Sequence, residues 1–456
     1  MKKALFYITL SVLLASVSAC GSHSHDTEGT TPPKEESAFA SDDEFLDWIQ
    51  KTHFNYMWDG AEATSGLAPE RIHMDNNYPQ NDQAVVTTGG SGFGIAGIIA
   101  AIDRGFVDRK AGVERLTKIV DYLGKADRHH GVWSHWIDGP TGKTKPFGQK
   151  DNGGDLVESS FLMTGLLCAR EYFKNGNEEE KALAEKIDKL WREMEFDWYT
   201  QGKDALYWHW SPDYGWEMNF PLEGYNECLI AYILGASSPT HPIPAEAYHK
   251  CWARNGDIVS DKKFMDLPLV LKYNGAADTG GPLFWSHYSY IGLDPRGLKD
   301  RYADYWELVS NHAKTDYLYC VANPKGYKGY GKDCWGLTAS YSPDGYSAHA
   351  PNNDLGVITP TAALSSFPYT PEESMRAARH FYDKGERYRG KYGFYDAFSD
   401  EKNWVLPRYL AIDQLTIAPM IENYRSGLLW KLFMGAPEIQ QGLEKLGFTT
   451  SKTTQE

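Results

Sequence analysis

From residue 42 onward the apolar positions recur at three- and four-residue intervals, and convincing alternating strands are scarce. The spacing predicts helices of two kinds that alternate along the chain. One kind has an apolar stripe and a charged face: DDEFLDWIQKTHFNYMW from 42, RKAGVERLTKIVDYLGKADR from 109 and EEEKALAEKIDKLWREMEFDWY from 178. PAEAYHKCWARNG from 244, DRYADYWELVSNHAKTDYLY from 300 and PEESMRAARHFYDKGERY from 371 continue that set. The other kind is apolar nearly all round: GGSGFGIAGIIAAID from 89, DLVESSFLMTGLLCAREYF from 155 and NECLIAYILGAS from 226. PLFWSHYSYIGL from 282, PTAALSSF from 360 and PMIENYRSGLLWKLF from 419 complete it. Helices without a polar face belong inside. Pro282, Pro360 and Pro419 each suit a first helical position, where the missing N–H costs nothing.

Six charged helices alternating with six apolar ones predict an all-α (α/α)6 toroid, an inner ring wrapped by an outer one, with an open α-solenoid as the alternative. A toroid buries its core only when closed, so residues 41–450 are expected to form one domain. Connections from an apolar helix to the next charged one are short. The reverse connections, 129–154, 200–225, 324–353 and 389–418, are long. Long irregular loops in a compact domain usually carry function. One elaborated face is therefore expected where the apolar helices begin.

Composition sharpens that picture. Aromatic residues make up 14% of the 456 residues, with 15 Trp and 29 Tyr, many of them in the long loops among Gly, Asp, Asn and Pro. Flat apolar faces beside short polar side chains suit a sugar. On this reading Trp133, His135, Trp136, Trp208, Trp210, Trp216, Glu223, His287, Asp354 and Trp404 are substrate-binding candidates. The net charge of −15 argues against nucleic acid and for a neutral oligo- or polysaccharide. Met1-Lys2-Lys3, a short apolar stretch and Val17-Ser18-Ala19-Cys20 read as a signal peptide over 1–19 ending at a bacterial lipobox. Cys20 would then be lipidated, residues 20–40 would be a flexible tether, and the protein would be an exported monomer held to the envelope; residues 451–456 read as a disordered tail. Of the other cysteines, Cys168 and Cys228 read as core residues, while Cys320 and Cys334 are a possible pair.

Carboxylates recur at the predicted starts of the apolar helices: Asp151 and Asp155, Glu223 and Glu227, Asp354, and Asp413 with Glu422. Any one of them could be a helix cap. Glu227, however, follows the better cap Asn226 and opens an apolar helix flanked by Trp208, Trp210 and Trp216. Desolvation there raises its pKa, against the lowering effect of a helix N-terminus. If burial wins, Glu227 stays protonated near neutrality and can give a proton to a leaving oxygen. Glycoside hydrolysis then needs a second, ionised carboxylate, for which Asp413 is the candidate.

The stretches GVWSHW, QKDNGGDLVESSFLMTGLL, GYNECLIAYILGASSPTHPI, FWSHYSYIGLDPRGL and IDQLTIAPMIENYRSGLLWKLF resemble the glucoamylase-like glycoside hydrolases of glycoside hydrolase family 144. That family contains β-1,2-glucan-degrading enzymes of Bacteroidota, and the likeness runs over residues 45–448. It implies an (α/α)6 fold and cleavage of β-1,2-linked glucose chains with inversion. It also implies active-site roles for Asp151, Asp155 and Glu227, with Glu227 as acid and Asp413 at the place of the base.

Other patterns weigh less. Gly92-Phe93-Gly94-Ile95-Ala96-Gly97 matches a dinucleotide-binding GxGxxG but lacks a βαβ setting, so close helix packing is the expectation and no cofactor is predicted. Asp75-Asn76-Asn77 and the 151–155 run lack a full calcium-loop pattern, and no metal is predicted. The competing functions are a non-catalytic glycan-binding lipoprotein, a glycosidase for another neutral glucan, and a polysaccharide lyase, which would want Arg and Lys where these loops carry acids.

Overall fold

The computed structural model describes residues 38–451. The expected signal peptide, the Cys20 lipidation site, most of the tether and the tail beyond 451 lie outside the described residues.

The charged helices form where their caps permit. Asp42–Trp58 starts at Ser41, whose hydroxyl accepts from the Glu44 N–H. Arg109–Leu123 is capped by Asp108 and Tyr305–Ala322 by Asp304, while Asn177 and Glu180 close a reciprocal capping box on Glu178–Arg192. Pro371–Asp383 begins on its proline. The apolar set supplies Thr88–Asp103, Leu156–Phe173, Leu229–Ser237, Pro360–Leu364 and Ile417–Arg425.

Three predicted helices come out broken. Residues 282–293 make only two 3-10 turns, Leu283–Ser286 and Ser289–Ile291, with Pro282 at the cap position rather than the first turn. The 419–433 helix splits into Ile417–Arg425 and Leu428–Phe433 because Gly427 adopts φ 68°, and Pro419 is the third residue of the first piece. The 244–256 segment shrinks to Ala245–Ala247, a π turn at Tyr248–Trp252 and a 3-10 turn. A further helix, Pro437–Lys445, packs on Leu229–Ser237. The connections are also more ordered than alternation suggested, folding into seven two-stranded sheets and one three-stranded sheet among the described residues.

The ring closes on itself. Asp42–Trp58 packs against both Thr88–Asp103 and Ile417–Arg425. Arg71–His73 pairs antiparallel with Arg408–Leu410, and the Ala411 N–H donates to the Glu70 carbonyl at 3.0 Å. An open solenoid has no such join, so the architecture is the (α/α)6 toroid. Inner helices Thr88–Asp103 and Leu156–Phe173 touch backbone to backbone. A Cβ on Gly92 would sit 2.3 Å from the Phe161 carbonyl oxygen, and one on Gly165 would sit 2.0 Å from the Gly92 oxygen. The glycine pattern at 92–97 is thus a packing device. Cys168, Cys228, Cys251, Cys320 and Cys334 are free thiols, which removes the suggested Cys320–Cys334 pair. No described helix is long and apolar enough to cross a membrane.

Candidate active site

A cavity of about 770 Å³ opens over the N-terminal ends of the inner helices. Each of the four long loops contributes to it: His135, Trp136 and Phe147 from the first, Trp208, Phe220 and Leu222 from the second, Tyr341 and Tyr346 from the third, Leu410 and Ile412 from the fourth. Trp285 and Tyr288 add to the aromatic wall. The acids on it are Glu70, Asp155, Glu158 and Glu227.

Glu227 lies in the turn just ahead of Leu229–Ser237, half-buried and facing the cavity. Its backbone carbonyl accepts from the Ser289 hydroxyl at 2.6 Å, which pins the turn. Burial pushes the carboxyl pKa up to about 7, helped by the nearby Asp155 charge and opposed by hydrogen bonding, including that of the Trp285 indole. No cation pairs with it among the described ion pairs. The group is therefore poised between acid and carboxylate at neutrality.

Asp155 plays a different part. Its Oδ1 caps Leu156–Phe173 by accepting from the Val157 and Glu158 amides. Its Oδ2 accepts from His135 Nδ1 at 2.9 Å and from Trp208 Nε1 at 2.8 Å, so one fully buried carboxylate aims two side chains at the cavity. Burial disfavours the His135 cation, but Glu158, Asp155 and Glu70 together raise its pKa to about 10. Glu158 is raised by burial and by the neighbouring acids, and its Oε2 accepts from the Gly89 N–H at 2.8 Å. Glu70 is likewise raised by burial. The protons of His135 and Glu158 therefore belong to the pair rather than to either group alone.

Asp413 stands one layer behind the wall. It is 2% exposed, and its Oδ1 accepts from the hydroxyl of Tyr288, a cavity residue, at 3.2 Å. Asp413, the candidate for the second carboxylate, thus reaches the cavity only through Tyr288. Asp151 is also buried outside the lining, 3.1 Å from His209 Nε2. His135, Asp151 and Asp155 bring one ligand atom each within 4.8 Å of one another, the spacing a metal ion needs, although Asp155 Oδ2 is already occupied by two N–H donors.

His135, Trp136 and Trp208 line the cavity as the sequence suggested. Seven other sugar-contact candidates do not, for identifiable reasons. Trp133 is wholly buried and donates to the Leu123 carbonyl. His287 is a core residue bonded to the Ser366 hydroxyl, with its pKa lowered to about 3 by burial. Asp354 accepts from the hydroxyls of Tyr319, on Tyr305–Ala322, and Tyr330, in the third loop. Trp210 and Trp216 join Trp198 and His130 in a separate aromatic cluster. Glu223 is exposed beside Arg254, and Trp404 sits on a two-residue strand opposite Ser399. Glu422 is also corrected, since it is locked to Arg104 at 2.5 Å. The sequence reading missed Glu70, Glu158, Trp285 and Tyr288. Glu158 was disguised, because an Asp three residues before a Glu looks like a capping box.

Comparisons with known proteins converge on the same chemistry. A family model described as "Putative glucoamylase" matches residues 219–437. An exo-β-1,2-glucooligosaccharide sophorohydrolase (non-reducing end) of Parabacteroides distasonis is 44% identical over 426 residues, which is 89% of this chain. The chain spans 58% of that relative's length. The solved endo-β-1,2-glucanase of Chitinophaga pinensis, in complex with sophorotriose and glucose, is 61% identical, with 90% of this chain and 99% of that one covered and a TM-score of 0.89. A "putative glucoamylase" structure from Bacteroides caccae is 60% identical over 90% of this chain and 100% of its own, also with a TM-score of 0.89. With a toroid, an acid-lined aromatic cavity and two solved relatives this similar over nearly their whole length, the chain belongs to the glucoamylase-like glycosidases of glycoside hydrolase family 144.

Proposed function

We propose that the protein hydrolyses β-1,2-linked glucan or its oligosaccharides, with Glu227 as the proton donor. The observation that carries this reading is Glu227 itself: a half-buried carboxyl on the cavity wall with its pKa raised to about 7. In the reaction the bond from the anomeric carbon to the departing sugar oxygen breaks as Glu227 protonates that oxygen. A water attacks the anomeric carbon from the far side and inverts it. The proton that this water sheds passes to the Tyr288 oxygen as the Tyr288 proton moves to Asp413, along the 3.2 Å hydrogen bond between them. Trp136, Phe147, Trp208 and Phe220 supply flat faces for the sugar rings. The β-1,2 linkage is supported by the activities named for the sophorohydrolase and the endo-glucanase relatives.

Glu227→Gln tests the reading, because an amide keeps the shape and loses the proton. Reducing-sugar release from β-1,2-glucan should fall about 10²–10⁴-fold with the fold intact. Near-normal release would remove Glu227 from the mechanism. The anomeric form of the first product, followed by polarimetry or NMR, checks inversion.

The same reading extends to location. Residues 1–20 support an exported lipoprotein held to the cell envelope through Cys20. Cys20→Ser should move the protein from the membrane fraction to the soluble one, and retention on membranes would exclude that anchor.

A further inference from the structure

Asp413 is not alone behind the wall. Asp396 arrives from a different element, the turn between Gly393–Phe394 and Phe398–Ser399, and is 4% exposed. Its N–H donates to the Arg408 carbonyl at 3.0 Å, and its Oδ2 accepts from the Tyr341 N–H at 2.8 Å. Asp413 is held as firmly, its carbonyl accepting from the Thr361 and Thr416 hydroxyls at 2.7 and 2.9 Å. The two carboxyls are neighbours, each acting on the other's titration. Yet Asp413 Oδ2 and Asp396 Oδ1 are both buried and have no donor. Two carboxylates cannot hydrogen-bond, and two adjacent charges in a buried site cannot both persist. One shared proton satisfies both oxygens at once.

The surroundings favour that state. The titratable groups facing the pair are Tyr288, Tyr346 and Glu70, with the Tyr341 ring beyond its own N–H contact to Asp396, and none of them is a cation. Burial raises both acids above the ordinary aspartate range, and their mutual repulsion raises Asp413 further.

We infer that Asp396 and Asp413 form a proton-sharing pair in which Asp396 is the final store for the proton released by the attacking water. The inference rests on the hydrolytic reading above. Water gives a proton to Tyr288, Tyr288 gives its own to Asp413 Oδ1, and the proton already shared between the acids moves wholly to Asp396. The pair passes from one negative charge to none while Glu227 passes from none to one, so charge balances across the cavity. Proton exchange with solvent after product leaves restores both. Asp396 touches no substrate; it is a positioning residue that makes Asp413 able to accept.

Asp396→Asn keeps an acceptor for the Tyr341 N–H and an amide donor for Asp413 while removing the second titratable site. The expected result is a fall in kcat of about 10²–10⁴-fold, the range of a lost general base, with KM little changed and the acid limb of the pH–rate profile displaced. The Asp396→Asn/Asp413→Asn double variant should be no slower than the worse single one, because the two act as a unit. A second measurement does not depend on Asp396→Asn folding. In protein with isotopically labelled aspartate carboxyls, the infrared band of a protonated aspartic acid at neutral pH should weaken in Asp413→Asn. The contribution of Asp316, also raised by burial, stays in both samples as a reference. Full activity and an unmoved acid limb in Asp396→Asn, or an unchanged band, would overturn the inference. If Glu227→Gln is inactive meanwhile, the glycosidase reading survives without it.

Discussion

Two glutamates of the inner ring, Glu422 within Ile417–Arg425 and Glu227 in the turn ahead of Leu229–Ser237, have opposite fates. Glu422, with 1% of its side chain exposed, is gripped by the Arg104 guanidinium, by Gln50 Nε2 at 3.0 Å and by the Ser426 hydroxyl at 2.5 Å. Burial works against its charge, but Arg104, Ser426 and Gln50 hold its carboxyl below the usual range. Glu227 is desolvated too, yet the side chain that hydrogen-bonds its carboxyl is an indole and not a cation, and its pKa goes up. The difference lies in the partners. Where the ring needs strength, a buried acid is matched with a cation; where it opens onto the cavity, the acid is left to hold or release a proton.

Several measurements can break or sharpen that contrast. The largest effect belongs to the amide swap carried out at both positions. Glu227→Gln should cost the rate loss given above, while Glu422→Gln should leave kcat/KM per folded molecule unchanged. Next, Arg104→Ala strands the Glu422 charge and should lower unfolding free energy by about 3 kcal/mol, the low end for a broken buried pair, because Arg104 is itself partly exposed. Urea titration reads this, and an unchanged midpoint would mean the pair is inert.

The pH dependence should also differ. With its proton bound up to about pH 7, Glu227 loses competence above that value, so the alkaline limb of kcat/KM should bend near it. Glu422 has a lowered folded pKa, so its stabilisation is complete above the unfolded value of about 4.3 and fades as pH falls through the folded value. Acidification should therefore weaken the fold where alkalinity weakens the chemistry. The smallest effect is on binding. Trp136→Ala, on the cavity wall, should raise KM about 2–10-fold, the worth of one aromatic contact, and Trp216→Ala, in the outer cluster, should not.

Much of this was legible in the chain. Helix periodicity gave the alternating rings, and loop length located the face, because both follow from local patterning. Glu227 stood out because it was chemically misplaced for a cap. Trp133 and His135, by contrast, lie two residues apart in one motif, and nothing local told which side chain would enter the core and which the cavity. Asp396 was hidden for a similar reason: its meaning depends on Asp413 and Tyr288, both distant in sequence. The broken 282–293 helix shows the same limit, since tertiary contacts, among them Phe284 N–H to the Thr338 hydroxyl at 3.0 Å, outcompete a weak local preference.

The seam at Arg71–His73 and Arg408–Leu410 carries one more implication. Leu410, within it, and Glu70, beside it, both belong to the cavity wall, so the reaction chamber takes its shape only when the two ends of the ring meet. A chain that stops just short of residue 408 has most of its helices and no complete chamber. Activity is thus a report that synthesis and folding have both been completed.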